Sequence, residues 1–451
     1  MLSNLGFWRG WGSAQVMLLT ILMGTVAPEQ SIGQAPAGRL EERVTSAADT
    51  TQHYALYLPP GYSQDRTWPI LFVLDPRGRA VSALRLFQPA AEQLRWLIMS
   101  SYNSRSDSLP DANENAMEAM LISAQERLSI DRSRLYLAGF SGTARALLGF
   151  AVPLRGHIAG LIAVGGAPGF EPSGPDTLFA GDSTFAFFGA AGTHDFNYEE
   201  VLAMAGRFDS MNVPFRVAVF DGAHSWPPAD VCGEALQWLE LRAMRAGRRT
   251  IDSTWVRIRL QSELARAENL RTLGHWEDAL RLYEAVTRDY LPSPATSRAA
   301  ERAVTLRKSD AVKRYRSEAR KLTRDYLEQA RETEKTLAWA RSLSAPPPPD
   351  KLIGKLEIAK LRKIASRGDS LRAANAERLL ARMFALLAFY EPRSYLAQQS
   401  PDRALLMLEA ATKIAPLQGE SCTFLEEARR TGSAPPRAGL VGQCTSAGDS
   451  P

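Results

Sequence analysis

The chain has 451 residues, 45% of them apolar, so it is too long for one ordinary domain and apolar enough to bury a core; two domains are expected. Its 54 Lys and Arg against 49 Asp and Glu leave a net charge of only +5, too mild to point to nucleic acid as a partner. No Cys/His spacing is of the zinc-binding kind, and no Gly-rich phosphate loop is present.

Residues 1–35 read as an export signal. Arg9 supplies a thin positive start, Val16 to Val26 is an apolar stretch, and small residues follow at Ser31, Gly33 and Ala35, with cleavage after Gly33 fitting the small-x-small rule. The apolar stretch falls well short of the roughly 20 residues that span a bilayer, so a periplasmic or secreted protein without a stable membrane anchor is expected. Of the three cysteines, Cys422 and Cys444 are close enough in sequence for an oxidising compartment to join them. Cys232 sits in an apolar helical pattern and reads as a buried thiol.

From 38 to 247 strand-like and helix-like segments alternate. Arg39 to Thr45 and Gln52 to Leu58 read as a hairpin. Trp68 to Asp75 is a continuous apolar run closed by Pro76, as expected of a central strand buried on both faces. A helix to Arg95, a strand Trp96 to Tyr102 and a helix from Asp111 to about Leu128 follow. Arg134 to Phe140 is a strand that runs into a helix from Ala144. His157 to Gly165 and Ser183 to Ala190 are further strands, then a helix Tyr198 to Asp209, a strand Phe215 to Phe220 and a helix Ala229 to Ala246. Strands spaced by helices predict a doubly wound, mostly parallel α/β sheet begun by an antiparallel hairpin.

The chemistry centres on Gly139-Phe-Ser-Gly-Thr143. A Gly-x-Ser-Gly step between strand and helix is the layout of a nucleophile elbow, which pushes a serine hydroxyl out at the top of a sheet. Thr143 stands where that pattern has its last glycine. A serine needs a base, and the base needs an orienting group. Of the five histidines, His224 lies just past the last strand and His194 past the one before, in both cases at carboxyl ends of strands, where open α/β folds bind ligands. His194 adjoins Asp195, so Ser141, Asp195 and His224 read as nucleophile, acid and base, in that chain order. Two backbone donors are needed for the oxyanion. Gly142 is the first; the second is expected from the loop after Asp75, where Pro76 has no N–H, leaving Arg77 or Gly78. Phe140, Phe196 and Trp226 are expected to rim the substrate cleft, which has no room for a lid in the short interval from Gly166 to Asp182.

These residues carry a resemblance. Tyr54-Ala-Leu-Tyr-Leu-Pro-Pro-Gly-Tyr62, Gly139-Phe-Ser-Gly-Thr143 and Gly222-Ala-His-Ser-Trp226 resemble the first hairpin, elbow and histidine loop of α/β-hydrolases of the esterase and prolyl-oligopeptidase-like group. The resemblance implies a carboxylesterase-like serine hydrolase that cleaves a small ester, a thioester or a peptide through an acyl-serine, with no cofactor and no metal. Two positions depart from it: Thr143, whose branched Cβ is expected to loosen the helix–strand contact, and Asp75-Pro76, which stands where many such enzymes have His-Gly.

After Ile251 the periodicity is helical only. Ala267, Leu270, Gly274, Trp276, Ala279, Leu280 and Tyr283 fall at the positions of a tetratricopeptide-like hairpin, echoed by Ala404, Leu408, Ala411 and Pro416. The reading is therefore a helical region over 251–343, with one long charged helical stretch from Ser297 to Leu343, a Pro-rich linker over 344–350, further helical hairpins over 351–430 and a disordered tail over 431–451. Helical repeats present surfaces to partners, so the alternative function is a degenerate hydrolase fold serving as an exported protein-binding scaffold.

Overall fold

The computed structural model describes residues 38–106, 111–167, 178–368, 370–432 and 438–444. The expected export signal, part of the Gly166 to Asp182 interval and most of the tail lie outside the described residues. The α/β half contains, in chain order, β1 (Arg39–Thr45), β2 (His53–Leu58), β3 (Trp68–Leu74), α1 (Ala80–Leu94), β4 (Leu97–Ser101), α2 (Asp111–Arg127) and β5 (Ile130–Phe140). It continues with α3 (Gly142–Ala151), β6 (Ile158–Val164), β7 (Ala186–Gly192), α4 (Tyr198–Ser210), β8 (Phe215–Phe220) and α5 (Ala229–Arg245).

The strands form one sheet in the order β1-β2-β4-β3-β5-β6-β7-β8. β2 is antiparallel to both β1 and β4, and every other pair is parallel. This is an α/β-hydrolase-like sheet. Its central strands are apolar throughout because both faces are covered. Ile70, Phe72, Leu74, Leu135 and Leu137 pack against α2, α3 and α4 through Met117, Met120, Leu147 and Phe208. The alternate residues Leu71, Val73, Tyr136 and Ala138 pack against α1 and α5 through Phe87, Leu236 and Trp238. Since β5, β7 and β8 run parallel, their carboxyl ends share one edge of the sheet, and the loops that carry Ser141, Asp195 and His224 leave from it.

The rest is helical: α6 (Ser253–Thr272), α7 (Trp276–Asp289), α8 (Pro294–Lys308), α9 (Asp310–Ser342), α10 (Pro349–Lys355), α11 (Ile358–Ala365), α12 (Leu371–Ala385), α13 (Glu391–Ala397), α14 (Pro401–Ala411) and α15 (Glu420–Thr431). A π-helical turn over Leu386–Tyr390 joins α12 to α13. The expected hairpin is α6 and α7, turned by Gly274 at φ +83°, with Ala267, Ala279 and Leu280 fully buried. Trp276, another of the hairpin positions, is 46% exposed.

Two expectations are corrected here. The charged stretch is not continuous: Ser309 is extended at φ −67°, ψ 146°, and its hydroxyl accepts from Val312 N, so it ends α8 and caps α9. The linker is also shorter than its prolines imply, because Pro349 and Asp350 form the first turn of α10, where proline is tolerated. Cys422 and Cys444 are joined in a disulfide that ties α15 to the following segment, and Cys232 is buried, which pushes its thiol pKa up.

The two halves are held together by a buried ion cluster. Arg216 of β8, 3% exposed, donates to both Glu263 oxygens at 3.0 and 2.9 Å and to Asp289 Oδ2 at 2.7 Å. Trp238 Nε1 donates to the same Asp289 oxygen at 3.0 Å. Leu241 of α5 completes the apolar core of α6, α7 and α8. Burial alone lowers the guanidinium's pKa, but Asp289 and Glu263 reverse that and raise it. Burial likewise raises the Glu263 carboxyl, and Arg216 outweighs it, holding the group below its ordinary 4.5. A depressed carboxyl pKa contributes stability above the unfolded-state value that is lost as pH falls through the folded one.

Arg216→Met removes the buried cation that Glu263 and Asp289 share and is expected to cost roughly 3–5 kcal/mol at neutral pH in a denaturant titration. The wild type should also lose stability below about pH 4.5 more steeply than the variant. An unchanged midpoint at neutral pH would contradict this account of the junction.

Candidate active site

Ser141 sits at φ 57°, ψ −123°, a conformation that non-glycine residues rarely hold and that costs on the order of 1–3 kcal/mol. Its surroundings enforce it. Ser141 N donates to Val164 O at 2.8 Å, locking the turn to β6. Glycine is required at 139, where a Cβ would lie 2.8 Å from the Thr143 carbonyl and from Ala144 N.

Thr143 does not loosen this turn, contrary to expectation. It is fully buried; its hydroxyl lies 2.6 Å from Leu74 O and 2.8 Å from Phe140 O and accepts from Phe140 N at 3.1 Å. The branched residue thereby ties the end of β3 to the end of β5. The contact that a glycine provides by closeness, threonine provides by hydrogen bonds.

The three predicted side chains meet. His224 Nε2 is 2.8 Å from Ser141 Oγ, and His224 Nδ1 is 2.8 Å from Asp195 Oδ1. Asp195 is fully buried and also accepts from Asn197 N at 2.8 Å, the local turn an Asp favours two residues ahead. Asn197 Nδ2 in turn donates to Gly165 O at 2.8 Å. Gly165, at φ +54°, lies beneath the group: a Cβ there would fall 2.8 Å from Asp195 Oδ2 and 3.2 Å from His224 Cε1. The rings of Phe140 and Phe196 flank the imidazole, with centroids 4.7 and 4.2 Å away. His194 belongs elsewhere, with Nδ1 on the Glu377 carboxylate of α12.

The rim and the oxyanion donors need correction. Phe140 is only 6% exposed, so it is a packing residue beneath His224 and not a rim. Phe196 and Trp226 are half-buried. Gly142 opens α3, so its N–H is among those with no intrahelical acceptor, and Ser106 Oγ lies where a Cβ on it would project. The expected second donors are both committed to Asp75: Arg77 N donates to Oδ1 at 2.8 Å and Gly78 N to the backbone O at 3.0 Å.

Asp75 itself is the residue that sequence reasoning undervalued. Fully buried, it takes the Arg79 fork at 3.0 and 2.8 Å, and Trp226 Nε1 at 2.8 Å on Oδ2. It thus pins the loop that carries His224 to the end of β3. Burial raises its carboxyl pKa, but the hydrogen bonds from Arg79, Trp226 and the backbone outweigh that and hold it below the usual 3.8. Its only advance signal was an Asp at the end of the central strand; Asn197 had only its place in a turn.

No family model and no curated protein matches this chain. Solved structures do. The substrate-bound fluorophosphonate-binding serine hydrolase F of Staphylococcus aureus is 13% identical, with a TM-score of 0.38 over 45% of this chain and 98% of that one. The S-formylglutathione hydrolase of the same organism is also 13% identical, with a TM-score of 0.36 over 46% of this chain and 98% of that one. A feruloyl esterase module from Clostridium thermocellum is 15% identical, with a TM-score of 0.36 over 44% and 87%. Identities this low say nothing about substrate.

Chemically, the arrangement can relay a proton from Ser141 Oγ to an imidazole whose far nitrogen faces a buried carboxylate. Among the described residues no group of three His, Cys, Asp or Glu is placed to hold a metal ion. Thr143→Val keeps the shape but strands the Leu74 carbonyl and the Phe140 N–H, and is expected to lower unfolding free energy by about 1–3 kcal/mol, with Thr143→Ser close to wild type. Equal stability of the valine variant would overturn this role of the hydroxyl.

Proposed function

We propose that this protein is an exported, esterase-like serine hydrolase that cleaves an ester, thioester or peptide bond through an acyl-serine. The observation that carries the reading is the continuous hydrogen-bonded chain Ser141–His224–Asp195, each link 2.8 Å, built on a backbone turn held at positive φ. Such strain persists only where the surrounding structure over-determines it, and it clusters at functional sites.

In this reading His224 Nε2 takes the Ser141 proton as Oγ attacks the substrate carbonyl. Asp195 keeps the other proton on Nδ1 and stabilises the imidazolium. Gly142 N–H donates to the oxyanion. The tetrahedral adduct collapses, the leaving group departs with the proton from His224, and Ser141 remains acylated. Water then attacks the acyl carbon, giving its proton to His224, which returns it to Ser141 as the acid is released. No cofactor takes part in this scheme. The disulfide between Cys422 and Cys444 supports export, because oxidising compartments are where such bonds persist.

A fluorophosphonate probe is expected to modify the wild type at Ser141 and to leave Ser141→Ala unmodified. His224→Ala and Asp195→Ala should each lower ester turnover by roughly 10⁴-fold or more. A folded wild type that resists the probe would sink the enzymatic reading in favour of the scaffold. Point variants serve better than truncation after Gly247, which would strip Arg216 of Glu263 and Asp289.

A further inference from the structure

The helical half does more than follow the hydrolase half. Contacts from α9 and α12 converge on one short segment, residues 194–199, which contains Asp195 and the ring that covers His224. Tyr326 of α9 donates its hydroxyl to Phe196 O at 2.6 Å, and the neighbouring Thr323 donates to Glu199 Oε2 at 2.9 Å. From α12, Glu377 meets His194, and the Arg378 guanidinium lies 4.2 Å over the Tyr198 ring and 3.7 Å from Glu199. Tyr326 is 4% exposed, and burial pushes its phenol up to about 12, so it is a proton donor at any working pH.

The geometry points to Tyr326 as a positioning residue for the Asp195–His224 pair, with α9 and α12 acting as a clamp that completes the active site. The inference rests on the catalytic reading above. Its physical basis is leverage: Phe196 is the residue next to Asp195, and its ring stands 4.2 Å from the imidazole. Fixing the Phe196 carbonyl therefore fixes the peptide whose other end, Asn197 N–H, donates to Asp195 Oδ1, and with it the wall against which the base rests. Asp195 Oδ2 is buried without a hydrogen bond among the described residues, so the side chain is held by Oδ1, and one donor to Oδ1 is the N–H of the peptide that α9 grips. A contact that merely glued two domains together would not need to fall on the acid's own loop. The Arg216 cluster already does that work at the other end of β8.

The test uses the full chain. Tyr326→Phe deletes one hydroxyl, and Arg266→Ala breaks a different contact between the halves, the Arg266–Glu234 pair, far along the chain from the acid loop. For Tyr326→Phe the expected result is a kcat on p-nitrophenyl acetate lower by roughly 10- to 100-fold at near-constant KM, since small misplacements of reacting groups carry penalties of that order. Fluorophosphonate labelling of Ser141 should slow in parallel, and Arg266→Ala should match the wild type in both. Rates are normalised to the folded fraction from near-ultraviolet circular dichroism. Should Tyr326→Phe fail to fold, Thr323→Val tests the same clamp, with slowed labelling expected. Wild-type labelling and turnover in the folded clamp variant overturn the inference while leaving the catalytic reading intact. A wild type that is never labelled overturns both.

Discussion

A single imidazole with two hydrogen bonds of 2.8 Å, one to each side, is the constraint that organises this molecule. His224 can meet Ser141 and Asp195 together only if the ends of β5, β7 and β8 are fixed relative to one another. Parallel strands in one sheet achieve the coarse placement, and small devices around the ring achieve the fine one. Gly165 leaves room beneath it, two phenyl rings limit its tilt, and Asn197 joins the acid's turn to the end of β6. The strain at Ser141 persists because its N–H is held on Val164 O and Gly139 lets the backbone close on Thr143 and Ala144.

The two positions that depart from the resembled pattern, Thr143 in the elbow and Asp75 after β3, each substitute one kind of contact for another. Thr143 replaces close backbone approach with a hydroxyl that bridges β3 and β5. Asp75 cannot donate to an oxyanion; it gathers Arg79, two nearby backbone N–H groups and Trp226 into one buried node, so that the loop that carries His224 is anchored on the central strand. Carboxylates buried this deeply are tolerated when their lone pairs are filled, and this one is filled by a guanidinium fork, two amides and an indole.

Strand and helix positions in the α/β half were legible because their causes are local. Runs such as Trp68 to Leu74 are apolar at every position only when both faces are covered, and the break at Pro76 marks where the cover ends. The meeting of Ser141, Asp195 and His224 was legible for the same reason: each follows a strand, and chain order then restricts the roles. What escaped depends on distant partners. Asp75 looks like any strand-ending acid until Trp226, 151 residues away, reaches its second oxygen. Ser309 is an acceptable residue inside a charged helix, and only its extended backbone makes it a break and a cap. The grip of α9 on Phe196 leaves no trace in periodicity, because a tyrosine facing a domain junction occupies the same helical position as one facing a core.

The helical half is joined to the sheet at Arg216 and again at the loop that carries Asp195. The central claim is that Ser141 becomes covalently acylated. Rapid-quench turnover of p-nitrophenyl acetate by the full chain tests it most directly. The account predicts a burst of about one equivalent of p-nitrophenolate per folded chain and, after acid quench, an acetyl group on the peptide that contains Ser141. Steady ester hydrolysis by folded protein with neither burst nor acetylated Ser141 would contradict it.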